Sequence, residues 1–139
     1  MRITKEADYA LRIMRCLAEC PDGVRDAKTM SALLNIPARF TLKILHKLMI
    51  GKLVKSFKGV NGGYKVNFPP SEITMRQIVE IIDGPLAISR CLDMKYECSH
   101  MAQDKSGCYF HKVFEEINVK LAAELDKITL EMALRNEKC

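Results

Sequence analysis

Cys91, Cys98 and Cys108 lie in one polar 18-residue segment, with six and nine residues between them. Thiolates are soft donors for zinc or for iron–sulfur clusters, and three of them make an incomplete tetrahedral set whose fourth ligand must come from elsewhere. His100 and His111 are the nearby donors. His111 follows Cys108 by three residues, a spacing that puts both side chains on one face if a helix starts there. Structural zinc sites favour tight CxxC knuckles, so the loose spacing suits a bulkier iron–sulfur cluster better. The bland alternative is that these are reduced thiols acting as small hydrophobes, which fits poorly with their Ser, Lys, Asp, Gln and Glu neighbours. Cys16 and Cys20 read as core or partly buried residues, and Cys139, the last residue, as a mobile end.

A second set of residues points to a polyanion. Of 22 Lys and Arg and 17 Asp and Glu, residues 1–70 hold 13 and 5, a balance of +8, while residues 71–139 hold 9 and 12, a balance of −3. From Ala27 through Ser71 there is no acid, but there are Lys28, Arg39, Lys43, Lys47, Lys52, Lys55, Lys58 and Lys65. A solvated face usually mixes both signs, so a one-sided run implies an anionic partner such as a nucleic-acid backbone.

The elements that must position these residues follow from periodicity and breakers. Tyr9, Ile13, Leu17 and Cys20 recur at helical spacing over Lys5 to Cys20, and Pro21-Asp22-Gly23 ends that helix. A short helix follows over Lys28 to Leu34, then a turn at Asn35-Ile36-Pro37 and a third helix to Gly51. That order is a helix-turn-helix. In the third helix Thr41, Ile44, Leu45 and Leu48 share the face that packs inward. Arg39, Lys43 and Lys47, four apart, share the other with His46, the form of a recognition helix in a major groove. Leu53 to Phe57 and Tyr64 to Asn67 alternate in the β sense around Gly59-Val60-Asn61-Gly62-Gly63, which predicts a hairpin wing. Lys58 and Asn61 then supply donors toward a minor groove, Gly62 and Gly63 let the backbone approach the sugar-phosphate chain, and Thr41 is a further candidate for the major groove.

Pro69-Pro70 breaks the chain, and Thr74 to Asp83 predicts a fourth helix ended by Gly84-Pro85. From Phe110 a long helix is expected toward Leu134, with Phe110, Phe114, Ile117, Leu121, Leu125, Ile128 and Met132 forming a narrow coiled-coil-like seam for a second copy of the chain. The fold class is therefore mainly α: a winged helix-turn-helix over 1–70, with the cysteine loop and dimerisation helix over 71–139, in one compact unit. At 139 residues, 48% apolar and 28% charged, the chain fits an ordinary globular domain. No apolar run approaches the roughly 18 residues of a membrane span. Met1 to Ala10 carries Arg2, Lys5, Glu6 and Asp8 where a secretion signal needs an apolar stretch, so a cytoplasmic, reducing location is expected. No Ser/His/Asp constellation, buried carboxylate pair or phosphate loop supports an enzyme. A small electron-transfer or cluster-carrier protein would need neither a winged helix nor a cationic stripe.

Taken together, Met1-Arg2-Ile3-Thr4-Lys5, Asp8-Tyr9-Ala10-Leu11-Arg12, Gly51-Lys52-Leu53-Val54-Lys55-Ser56, Gly59 to Tyr64, Ile81-Ile82-Asp83-Gly84-Pro85 and the three loop cysteines resemble the Rrf2 family of bacterial winged-helix transcription regulators. The resemblance covers nearly the whole chain. It implies a homodimeric regulator, here expected to be a repressor, whose binding to double-stranded operator DNA depends on an iron–sulfur cluster held by Cys91, Cys98 and Cys108. In IscR-like members a His three residues after the last Cys completes a 2Fe–2S cluster, which His111 matches. In NsrR-like members an Asp in the first helix of the other subunit serves a 4Fe–4S cluster, which Asp8 matches. The gap between Cys98 and Cys108 is longer than in IscR-like relatives, and Leu42 stands where they carry an acidic base-reading residue. The resemblance also admits a CymR-like regulator without a cluster, controlled by a partner protein or thiol oxidation.

Overall fold

In the computed structural model the described residues are 2–20, 22–100 and 104–136, so Cys139 and part of the cysteine loop lie outside them. Helix α1 (Lys5–Ala18) starts where the Thr4 hydroxyl accepts from Ala7 N, with Glu6 and Asp8 complementing the positive end of the helix dipole. Helix α2 (Ala27–Leu34) is capped by Asp26, whose carboxylate accepts from the Thr29 hydroxyl and amide; these bonds hold its pKa below the ordinary range. Asn35 adopts the left-handed conformation at φ 53°, which ends α2 and turns the chain into α3 (Ala38–Ile50).

Strands β1 (Val54–Phe57) and β2 (Gly63–Val66) pair antiparallel from Val54 opposite Val66 to Phe57 opposite Gly63. Arg25, in the loop before α2, adds a bridge to Tyr64 with bonds of 2.8 and 3.0 Å. The wing is thus sewn to the body along one side. Helix α4 (Met75–Asp83) opens with a capping box between Thr74 and Gln77 and packs along α1.

The main core gathers Ala10, Ile13, Met14 and Leu17 of α1, Met30 of α2, Ile44, Leu45 and Leu48 of α3, Val54 and Val66 of the wing, and Ile73, Ile78 and Leu130 from the second half. A smaller cluster of Val79, Leu86, Ala122 and Leu125 seats α5 (Tyr109–Lys127) on α4.

The expected single C-terminal helix is in fact two. Ile128 and Thr129 are non-helical, and α6 (Leu130–Asn136) turns back onto α1. Nothing in the local sequence forces the break, since there is neither Gly nor Pro. It is imposed by pairing with the segment before α4: Met75 N donates to Ile128 O at 2.8 Å and Leu130 N to Ile73 O at 3.0 Å. Consequently Ile128 and Met132 do not continue the seam of α5, and Leu125 is buried within its own chain. Phe110 and Ile117 remain exposed on α5, with Phe114 and Leu121 half-buried. No helix among the described residues is long and apolar enough to cross a membrane.

Candidate nucleic-acid interface and cysteine loop

Helix α3 buries Thr41, Ile44, Leu45 and Leu48 and turns Arg39, Leu42, Lys43, His46 and Ile50 to solvent. The inward face is the predicted one, and it removes Thr41 from the candidate contacts. Thr41 has no exposed surface, its hydroxyl oxygen accepts from Ser31 of α2 at 2.8 Å, and it ties α3 to α2. Arg39 is exposed, its guanidinium 5.0 Å from the centre of the Phe40 ring. A planar, always-charged fork steadied on a ring is well suited to a guanine edge or a phosphate.

Lys43 and Lys47 do not form the unopposed stripe expected from their spacing. Glu6 of α1 reaches both, at 3.0 and 2.7 Å, and Lys47 also donates to Ile82 O at 3.4 Å. The Lys47 and Lys43 hydrogen bonds hold the Glu6 carboxyl below its ordinary range. Its folded pKa is depressed, so the stabilising contribution of this pair is present above the ordinary carboxylate value and lost as the pH falls through the lower folded one. Glu6→Gln is expected to release both ammonium groups. The plot of log Kd against log salt for duplex DNA should then steepen by about one to two, and an unchanged slope contradicts this.

The wing tip carries exposed Lys58, Val60 and Asn61, with Lys28 exposed on α2. Its glycines have an internal reason that differs from the expected one. A Cβ on Gly62 would lie 2.2 Å from Phe57 O, and one on Gly63, at φ 156°, would lie 2.5 Å from Arg25 O. Gly62 closes the turn and Gly63 admits the Arg25 backbone.

The cysteine loop leaves the body at Leu86. Asn118 of α5 pins its start: its amide donates to Leu86 O at 2.9 Å, and its carbonyl oxygen accepts from Ile88 N at 3.1 Å. Cys91 sits in a short 3-10 turn, half-buried, its Sγ donating to Ser89 Oγ at 3.2 Å. Cys98 and Cys108 are likewise half-buried, and none of the three forms a disulfide. Among the described residues no three His, Cys, Asp or Glu side chains converge closely enough to hold a metal ion. His111, in the first turn of α5, has a buried Nδ1 with no hydrogen-bond partner among the described residues. An unsatisfied buried ring nitrogen is costly, and it is the atom a metal would satisfy. Three thiols and this nitrogen therefore fit a cluster in donor chemistry, while the sulfurs still have to draw together. Asp8 is elsewhere, paired with Arg12 at 2.8 Å at the edge of a groove of about 750 Å³ between α1, α4 and α6 that Ile128 and Met132 also line. His100 is exposed.

Glu6, Lys105 and Asn118 escape sequence reasoning because each acts on backbone or charge far along the chain; Glu6 is separated from Lys43 by 37 residues. For Glu6 a signal did exist: it is an acid in the first turn of a helix that packs on a strongly basic one.

Three short helices, the third with an exposed cationic face, followed directly by a two-stranded hairpin, define a winged-helix DNA-binding protein. The profile of the Rrf2 family, described as iron-dependent transcriptional regulators, matches residues 3–136. An Rrf2-like HTH-type regulator of Rhodobacter capsulatus is 31% identical over 136 residues, covering 93% of this chain and 89% of that protein. An HTH-type regulator of Mycobacterium tuberculosis is 38% identical over 91 residues, 65% of this chain; the match spans 56% of the length of that longer protein. The chain belongs to the Rrf2 family, whose members are transcriptional regulators and not enzymes. Among solved structures, CymR, the global cysteine regulator of B. subtilis, superposes with a TM-score of 0.78 at 23% identity, covering 99% of both chains. IscR of T. potens gives 0.75 at 22%, covering 99% of this chain and 89% of the other. At those identities the likeness is one of fold.

Proposed function

We propose that this chain is a homodimeric repressor, acting in the cytoplasm, whose affinity for operator DNA is set by an iron–sulfur cluster on Cys91, Cys98 and Cys108. The fourth donor is His111 or, in the alternative arrangement, Asp8 of a second copy. The orphaned Nδ1 of His111 carries this reading: three residues after Cys108, it is a buried donor atom whose partner the described residues do not supply. It favours a 2Fe–2S cluster over a 4Fe–4S one. When bound, such a group supplies a centre whose oxidation state and ligands can change reversibly. The chain's own part is to hold the sulfurs on a loop tied through Asn118 to α5. A loop that opens or closes there shifts α5 and, across the dimer, the spacing of the two α3 helices. A bias of about 1–3 kcal/mol between the two states changes operator affinity roughly 5- to 150-fold. Exposed Phe110 and Ile117, with half-buried Phe114 and Leu121, are the face for the second copy.

On DNA, Arg39 and Lys43 enter the major groove, with Lys47 and Lys28 at its phosphate walls. The wing tip from Lys58 through Asn61, on the turn that Gly62 and Gly63 permit, meets the minor groove. Arg39→Ala is expected to weaken binding to a selected operator by about 1–3 kcal/mol and to relax the base preference at one position of each half-site. Mobility shift over a randomised half-site measures both, and a uniform loss across all sequences would make Arg39 a phosphate contact. The cluster itself is tested by iron and sulfide per chain and by the visible spectrum of anaerobically purified protein. Protein that stays colourless after reconstitution sinks the sensor. The second reading, a cluster-free CymR-like regulator, is favoured by the lack, among the described residues, of any three converging His, Cys, Asp or Glu side chains.

A further inference from the structure

Lys105 has an arrangement unlike that of a surface lysine. It lies in a 3-10 turn (Lys105–Gly107) between the second and third loop cysteines and is half-buried. Its Nζ donates to three backbone carbonyls, Cys91 O at 3.3 Å, Asp93 O at 3.3 Å and Tyr96 O at 2.6 Å, and stands 5.7 Å from the centre of the Tyr96 ring. An ammonium has three donors, and here three protein oxygens are gathered around it. Three local bonds, Leu92 N to Ser89 O, Asp93 N to Arg90 O and Tyr96 N to Asp93 O, curl the chain so that the carbonyls point inward. On the other side, Lys105 O accepts from Cys108 N at 3.1 Å, and Asp104 caps the turn by accepting from Ser106 N at 2.8 Å.

A single residue therefore binds the limb carrying Cys91 through its side chain and the limb carrying Cys108 through its backbone. Cys98 is two residues beyond the clasped Tyr96. Left open, the segment would have to close a loop of many residues each time the three thiols met, and that conformational cost would weaken any metal they shared. Charge-assisted bonds to carbonyls are among the stronger ones a side chain makes.

We infer that Lys105 is a positioning residue, a clasp that joins the Cys91 and Cys108 limbs before metal arrives and so sets how tightly the three thiols bind it. The inference rests on the proposed reading that these thiols are ligands. It is tested on the full-length, reduced, metal-free protein with Lys105→Met, which keeps the stem and removes the donors, and Lys105→Arg, which restores charge and donors. Two quantities are measured: the rate of cleavage after Glu97 by a glutamate-specific protease, and the affinity for cobalt(II) from the thiolate-to-cobalt absorption band. Lys105→Met is expected to be cut about tenfold faster or more and to bind cobalt about tenfold more weakly or worse, with Lys105→Arg close to the original protein in both. Equal cleavage rates overturn the clasp. Faster cleavage with unchanged cobalt affinity overturns the positioning role. A wild-type protein with no thiolate band overturns the ligand reading, and the positioning role with it, while the cleavage rates still report separately on the clasp.

Discussion

Cys98→Ala is expected to give a folded dimer that retains almost no iron or sulfide. Cys98 sits midway along the loop, and among the described residues from 87 to 108 none belongs to either cluster of buried core residues. Its removal leaves helix packing intact, so the melting temperature and elution volume should stay those of the original protein. Two thiols and a histidine cannot complete the site, and the affinity for the cluster should fall by more than the about 10- to 100-fold that losing a mere supporting group costs. Iron and sulfide per chain, with the visible spectrum, provide the measurement. Undiminished iron in the variant would remove Cys98 from the ligand set.

Leu45→Ala should be equally severe by a different route. Leu45 has no exposed surface and faces the main core from α3, in the cluster that holds residues of α1, α2 and α4. Truncating such a side chain costs about 2–5 kcal/mol, a large share of the roughly 5–15 kcal/mol of an ordinary domain. DNA binding should be lost with the packing of α3. Leu42→Ala, on the same helix but half-exposed at 51%, provides the contrast, with an expected change within about 0.5 kcal/mol. Urea denaturation of the pair measures the difference; equal midpoints would contradict the assigned inward face.

The elements that local rules govern were legible. Apolar spacing and the breakers Gly23, Pro37 and Gly51 delimit α1 to α3, and the Gly-rich run from Gly59 to Gly63 marks the hairpin. Where contacts between distant segments decide, the sequence was silent or misleading. The apolar stripe runs straight through Ile128, yet pairing with Ile73 and Met75 interrupts the helix there. Lys43 and Lys47 read as an open stripe because their neutralising carboxylate belongs to another helix. Thr41 looks like a contact residue by type, but its hydroxyl is bonded to Ser31 of α2 and it belongs to the buried face of α3. In the cysteine loop, spacing marked the sulfurs and His111 as candidates, whereas nothing in the residue pattern revealed that Asn118 pins the start of the loop and Lys105 gathers its carbonyls.

Leu130, from the last helix, is 4% exposed and lies in the same cluster as Ile13 and Leu45. The reading head is therefore roofed by the far end of the polypeptide. Grafting residues 1–70 onto the second half of a relative would pair this head with a foreign lid. Shuffling between paralogues at that joint should succeed only when the lid travels with the head, so new specificities are reached more readily by single changes on the outer face of α3 than by exchange of whole modules.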